Sequence, residues 1–364
     1  MTVKASDTMP ADDRDGAKTA RAANVLPRVS VVIPCHNYAA FLDDAIGSAL
    51  SQHGVAVDVT VVDDASTDDS LLIAQQWAQR DDRVTVVAHE VNKGHIATFN
   101  EALGSATAPY VVKLDPDDVL PPGSLRRSAD VLDAHSDVVF VYGHVVSFQG
   151  SIPSMPRAVG RRRVKLWSGR RWLWLRVLRT RNVIYQPEVM IRASALEVAG
   201  GHRPEVPAAS DLNLWLRLAT LGSVARLGGV VQGLYRKHPG SMQHTIHAGK
   251  LVDFRARRDA FEAFFAEAGD SLPDRARLMA ASRRALSRDA LRLAFEELED
   301  GRPVGDYLED ALALDPRVRR TLAWRNSTRR MQDPSYNGLP VRLERLKRDL
   351  DGRVRWRVWR RYGI

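Results

Sequence analysis

An α/β domain on a mostly parallel sheet flanked by helices, with a helical region behind it, is what this sequence predicts. Three observations carry the prediction. Between Val29 and Tyr142, short β-branched runs alternate with amphipathic segments, the pattern of parallel strands joined by crossover helices. Acidic and polar residues cluster just after those runs, at the edge where open α/β sheets bind ligands. Beyond about residue 246 the pattern becomes helical and heavily charged.

Taken in order, Val29-Ser30-Val31-Val32-Ile33 reads as a buried strand, and the next segment puts Phe41, Leu42, Ala45, Ile46, Ala49 and Leu50 on one helical face. Val57–Val62 is the second strand. Ser66-Thr67-Asp68 then supply N-cap chemistry for a helix through Leu71, Leu72 and Trp77. Val84–Ala88 is the third strand, Ile96–Leu103 a helix, Tyr110–Leu114 the fourth strand, Ser124–Ala134 a helix and Val138–Tyr142 the fifth strand. Residues 151–245 are irregular and rich in proline, with one strong helix, Leu212–Leu221. Further on, Ala290–Leu298 and Tyr307–Leu314 predict a helical hairpin across Gly301 and Pro303, like a single tetratricopeptide pair; one pair does not make a repeat array. The expected divisions are a disordered leader over 1–27, the α/β domain over 28–245, and a helical, basic C-terminal region over 246–364.

Composition narrows the function classes. At 364 residues and 45% hydrophobic, the chain can bury a large core. No run approaches the ~20 apolar residues of a membrane-spanning helix. The first 28 residues are polar and small, a leader rather than a signal peptide. Cys35 is the single cysteine, which excludes an internal disulfide and a cysteine-rich zinc site. A cytoplasmic protein is expected. The net charge of +9 is concentrated in Arg161, Arg162, Arg163, Lys165, Arg170, Arg171 and Arg176, and again from Arg342 to Arg361. Such blocks suit nucleic acid, anionic membrane or phosphorylated ligands, or simply solvated helix faces.

The most informative residues are Asp115-Pro116-Asp117-Asp118. Pro116 stops the strand, so the carboxylates sit on a loop at its carboxyl end. Crowded carboxylates repel unless a cation or hydroxyl donors offset them, and hard oxygen ligands suit Mg2+ or Mn2+. An acidic turn before a helix is the plainer alternative. Pro34-Cys35-His36-Asn37 follows strand one, Asp63 to Asp68 strand two, and Asn92-Lys93-Gly94 strand three. There is no G-x-G-x-x-G and no P-loop lysine motif, so a pyrophosphate is not expected to be held as in a dinucleotide-binding domain, and a metal held by carboxylates can neutralise a diphosphate instead.

In this order, these motifs resemble family 2 glycosyltransferases of the GT-A fold. Ser210-Asp211-Leu212-Asn213-Leu214-Trp215-Leu216-Arg217 and Tyr235-Arg236-Lys237-His238-Pro239-Gly240-Ser241-Met242 are similar to that family's later motifs, so the resemblance covers roughly 29–245. It implies an inverting transferase that uses a nucleoside-diphosphate sugar and Mg2+ or Mn2+. By that resemblance Asp64 accepts from the base, usually uracil, with Pro34, His36, Asn37 and Lys93 around the nucleotide. Asp115 lies at the ribose, Asp117 and His238 serve the metal, and Asp211 is the general base. The acceptor is a hydroxyl of a glycan, a lipid-linked glycan or a natural product.

Three positions depart from the family pattern. His36 stands where tyrosine is frequent, Ser210 where an acidic residue usually precedes the base, and Phe99 where Arg or Lys is common. Plainer readings stand beside the functional ones. Cys35 is a small buried residue, because it and His36 point to opposite faces of a strand. Asp211 caps the helix at 212–221. His238, His244 and His247 are loop histidines. Trp167, Trp172 and Trp174 pack a helix on the sheet, with Trp172 and Trp174 as the alternative acceptor-pocket residues.

The rival activities are a sugar-phosphate nucleotidyltransferase, which needs a glycine- and arginine-rich loop absent after strand one, and a non-catalytic interaction protein on the same scaffold. Nucleic-acid binding is not expected. The tail, where Arg353, Arg355, Arg357, Arg360 and Arg361 interleave with Val354, Trp356, Val358 and Trp359, suits peripheral contact with an anionic membrane, or else docks its tryptophans on the protein.

Overall fold

The computed structural model describes residues 25–154, 162–240 and 249–333, with scattered positions between 335 and 354. Its first half alternates as expected: β1 (Arg28–Cys35), α1 (Ala39–Leu50), β2 (Ala56–Asp63), α2 (Ser70–Arg80), β3 (Val84–Ala88), α3 (His95–Gly104), β4 (Tyr110–Lys113), α4 (Ser124–Ala134) and β5 (Val138–Tyr142). The segment that reads as irregular holds β6 (Val145–Phe148), β7 (Arg163–Trp167), α5 (Gly169–Arg179), β8 (Met190–Arg192), α6 (Ala193–Ala199), α7 (Ser210–Leu221), β9 (Ser223–Gly228) and β10 (Gly233–Arg236). Among the described residues, helices α8 (Lys250–Ala268), α9 (Arg275–Glu299), α10 (Gly305–Leu314) and α11 (Leu322–Gln332) follow.

One eight-stranded sheet runs β3-β2-β1-β4-β8-β5-β9-β7, and β10 pairs with β6 beside it. β1 lies parallel to β2 and β4, β2 to β3, and β5 to β9. The three-residue β8 is inserted antiparallel between β4 and β5, and β7 closes the far edge antiparallel to β9. The mixed sheet therefore remains mostly parallel.

Alternation along each strand decides which helices cover which face. Val29, Val31, Ile33, Val59 and Val61 face Leu42, Ile46, Ala74 and Leu125 from α1, α2 and α4. Val32, Val62, Val111 and Phe140 face Leu103, Trp172 and Trp215 from α3, α5 and α7. Trp172 and Trp215 are fully buried and each ring lies 5.5 Å from Phe140. Trp172 is thus a packing residue, and truncating either tryptophan would cost about 3–5 kcal/mol. The start of α5 can approach the end of α7 because residue 169 is glycine; a Cβ there would lie 1.8 Å from the Ala219 carbonyl oxygen.

The C-terminal helices share this second face: Phe254, Phe261, Phe264, Leu286 and Leu293 belong to the same buried cluster as Trp172 and Trp215. Arg257 of α8 joins three elements. Its guanidinium donates to the Thr180 carbonyl at 2.6 Å, to Asp289 of α9 at 3.1 Å, and to Asp253 at 2.9 Å. α9 starts at Arg275, some fifteen residues before the periodicity of 290–298 suggests, because its first turns are buried by α8 rather than signalled by a local stripe. Among the described residues, no helix is long and apolar enough to cross a membrane.

Two capping expectations change. The second helix starts at Ser70 with Asp69 as N-cap, and Asp68 instead accepts from Ser70 N and Ala39 N, both at 3.0 Å, tying the starts of α2 and α1 together. The helix read as 212–221 starts at Ser210, so Asp211 sits inside its first turn rather than at the cap.

Candidate active site

The loops after β1, β2, β3 and β4 gather at one edge of the sheet. Asn37 takes a left-handed φ of 61°, which asparagine tolerates. Its Oδ1 accepts from Thr67 N at 2.7 Å, and its own backbone N–H donates to Ser66 Oγ at 3.0 Å. His36 Nδ1 donates to the Asp64 carbonyl at 2.8 Å. The first two loops are therefore one cross-braced unit. Pro34 is buried within β1, opposite Val62. Burial pushes the Cys35 thiol up to about 12, so it stays protonated and unreactive.

Asp64 lies at the centre of the brace. Its Oδ1 accepts from His89 Nδ1 and Lys93 N, each at 2.7 Å, and its Oδ2 from Gly94 N at 3.0 Å. Burial opposes its ionisation, but these donors and Thr98 outweigh burial and hold the carboxyl below its usual value. The Lys93 ammonium pairs with Glu101 at 2.9 Å, so what Lys93 brings to Asp64 is its backbone.

The acidic loop is clamped from behind. Asp118 N donates to the Asp115 carbonyl at 3.0 Å, closing a turn, and Val119 bridges to Leu234 beside β10. Arg236 lies between the rings of Phe41 and Phe148. From there it donates to the Asp117 carbonyl at 2.9 Å and to the Asp44 carboxylate at 2.6 Å, while its backbone N–H meets Asp118 Oδ1 at 2.9 Å. Asp117 Oδ2 meets His238 Nε2 at 3.0 Å, and His238 packs on Phe41. Burial, then the negative charge of Asp115, raises the proton affinity of Asp117. Burial raises Asp118 further, and its Oδ2 is buried without a hydrogen-bond partner among the described residues. Lys113, at the end of β4, pairs with Asp115 Oδ1 at 2.6 Å.

Asp211 comes from the other half of the domain. Its Oδ1 accepts from Leu212 N at 2.7 Å and its Oδ2 from Asn182 Nδ2 at 2.5 Å. Burial nevertheless outweighs these bonds and raises its carboxyl above the usual range; the Lys113 charge lowers it and that of Asp115 raises it, which puts both within electrostatic reach. Next to it, Ser210 Oγ meets His202 Nδ1 at 3.0 Å, and burial with the nearby cations Lys113 and Arg217 keeps that imidazole neutral.

The structure therefore brings Asp64, His36, Asn37 and the backbone of Lys93 into one cluster, and Asp117 and His238 into another. Asp115 and Asp211 lie within reach of a shared lysine. Four participants escape the sequence reading: His89, Lys113, Asn182 and His202. Two carry a usable signal, since His89 directly follows β3 and Lys113 interrupts an apolar strand just before Asp115. Asn182 and His202 sit in loops with no local mark. His244, His247 and all of the tail run 353–361 except Val354 lie outside the described residues. Among the described residues, no group of three or more His, Cys, Asp or Glu side chains is arranged to hold a metal unaided.

Residues 30–192 match the family model described as glycosyl transferase family 2. An uncharacterized glycosyltransferase of Nostoc sp. is 36% identical over 132 residues, which make up 36% of this chain and 40% of that protein. The chain thus spans less than half of that relative. Among solved structures, S. aureus TarS 1–349 in complex with UDP-GlcNAc matches over 85% of this chain and 93% of its own, with a TM-score of 0.60 and 17% identity. The Pyrobaculum calidifontis mannosyltransferase PcManGT, in complex with GDP-Man and Mn2+, matches over 92% and 83%, with a TM-score of 0.51 and 20% identity. At such identities the structural likeness concerns the fold. Residues 30–192 are thus similar to glycosyl transferase family 2, and the chain has the GT-A fold of its structural neighbours.

Proposed function

We propose that the chain transfers a sugar from a nucleoside-diphosphate donor, a UDP-sugar, to a hydroxyl of a glycan, lipid-linked glycan or natural product, with inversion at the anomeric carbon. The observation that carries this reading is the placement of Asp211. It is held by Asn182 on an element separate from the acidic loop, yet it feels the charges of both Asp115 and Lys113.

In this reading His36, Asn37 and Asp64 receive the base, and Asp115 receives the ribose. Asp117 and His238 would hold Mg2+ or Mn2+. The fit rests on their contact at 3.0 Å and on the unsatisfied Asp118 Oδ2 beside them. Two or three protein ligands leave positions for water and phosphate, as hard divalent cations require. When bound, the cation would offset charge on the departing diphosphate.

Asp211 acts on the other side. The acceptor oxygen bonds to the anomeric carbon as the bond from that carbon to the diphosphate oxygen breaks, and the electron pair leaves with the diphosphate. The acceptor proton passes to the Asp211 carboxylate. Its raised proton affinity suits this task, because a base works best when its pKa approaches the working pH. A single displacement needs no covalent sugar–enzyme intermediate, and one base suffices.

A panel of UDP-, GDP- and dTDP-sugars, assayed for nucleotide release with Mn2+ and with chelator, tests the reading. Release from UDP-sugars that chelator suppresses is expected. No release from any donor, with a range of glycan and lipid-linked acceptors present, would overturn it.

A further inference from the structure

Lys113 is the odd residue of β4. Tyr110, Val111 and Val112 before it are apolar and buried, and its own side chain is 3% exposed. An ammonium in such a place loses its hydration and must be compensated. Two contacts do this. Nζ lies 2.6 Å from Asp115 Oδ1 and 3.8 Å above the centre of the Phe99 ring. Phe99 is itself fixed edge-on by His95 and His202, each ring 5.5 Å away. The Asp115 end of the ion pair is 28% exposed, so the cation is the buried anchor and the carboxylate is its open end.

This arrangement answers the departure at position 99. There α3 presents an aromatic ring in place of the cation common in the resembling segment, and the positive charge arrives from the neighbouring strand and rests on that ring. We infer that Lys113 is the positioning residue for Asp115: it supplies from β4 the charge that α3 lacks at Phe99, and by anchoring Oδ1 it aims Oδ2 at the donor. The inference rests on the donor-binding reading above. It differs from a purely structural role, in which Lys113 would only neutralise the crowded Asp115, Asp117 and Asp118, because positioning acts through Asp115 alone.

Calorimetric titration with UDP in the presence of Mn2+ decides between the two. Lys113→Met and Asp115→Asn are each expected to weaken binding ~10-fold, and the double variant by no more than ~3-fold beyond either, since residues acting as one unit are not additive. Exchanging the pair, Lys113→Phe with Phe99→Lys, is expected to return affinity to within ~3-fold of the parent, as the charge regains its place over a ring. Unchanged affinity in Lys113→Met, losses that multiply in the double variant, or a folded exchange variant that binds no better than Lys113→Met would each overturn the inference. If Lys113→Met does not fold, Phe99→Leu serves in its place: it keeps the ion pair, removes the ring beneath it, and is expected to weaken UDP ~3-fold. Unchanged affinity there also overturns the inference. A parent chain that binds neither UDP, GDP nor dTDP with Mn2+ removes the donor reading and this inference together. A parent that binds UDP while Lys113→Met binds it equally well removes the inference alone.

Discussion

Asn182 donates to Asp211 across 2.5 Å, joining the loop after α5 to the first turn of α7. The bond fixes one oxygen of the proposed base and stabilises its charged form, against a burial that favours the neutral one. Removing the amide therefore has a signed consequence. In Asn182→Ala the proton affinity of Asp211 rises further, so the pH below which turnover falls should move upward. The acid limb of the parent should itself lie above the ~3.9 of an ordinary aspartate. A pH–rate profile with the same acid limb in both proteins would show that Asp211 is not the titrating base.

Asp211→Asn keeps the size of the side chain but cannot take a proton. Turnover should drop ~10²–10⁴-fold, the usual worth of general base catalysis. UDP binding should stay at the parental level. The melting temperature at neutral pH should not fall, because a carboxyl whose proton affinity is raised by folding gives its stabilisation only at low pH and loses it as the pH rises through its folded pKa. Near-parental turnover would reduce Asp211 to a first-turn helix residue.

UDP affinity of the parent should depend on Mg2+ or Mn2+, and Asp117→Ala should abolish that dependence. His238→Ala should weaken it, since His238 shares Asp117 Oδ2. Calorimetry with and without chelator checks both. Equal binding under the two conditions in the parent would remove the metal from the proposal.

Asp64 titrates in the opposite sense. Its folded-state pKa is lowered, so its contribution to stability is present above the unfolded value of ~3.9 and is lost as the pH falls through the folded one. Asp64→Asn should therefore be less stable than the parent at neutral pH, by about 1–3 kcal/mol for charge-assisted hydrogen bonds, and the two should converge in strong acid. Denaturation at a series of pH values would reveal this, and a constant gap would contradict it.

Arg236→Met should loosen the acidic loop. The pair with Asp44 is half exposed, so about 2–3 kcal/mol is expected rather than the 3–5 of a fully buried pair. Metal-dependent UDP binding should weaken as well, because Arg236 holds the Asp117 backbone. Normal binding in a destabilised variant would separate the clamp from the site.

The half of the fold from β1 to β5 is legible because its strands are short runs rich in valine, broken only by single polar residues such as Ser30, Thr60 and Thr85, and the local pattern marks them. β7 and β8 escape for physical reasons. β7 carries exposed Arg163 and half-buried Lys165 at the edge of the sheet, and β8 has only three residues held between two longer strands. In the site, Asp115 and Asp117 are readable because the loop's chemistry is local. His89 on Asp64, Lys113 on Phe99 and Asn182 on Asp211 are contacts between separated segments, which no spacing encodes. The proton affinity of Asp211 is likewise a tertiary property: its helix position favours the charge, and the core around it reverses the balance.

Arg257 gives the C-terminal helices a hold on the loop that carries Asn182. It grips the Thr180 carbonyl two residues before Asn182, and Asp289 steadies it from α9. The proposed base thus inherits its aim from a helix that begins more than sixty residues later in the chain. Substitutions at Asp289 should read in an assay as slow turnover with normal donor affinity. The proposed transfer step could be retuned there without altering any residue proposed to face a ligand.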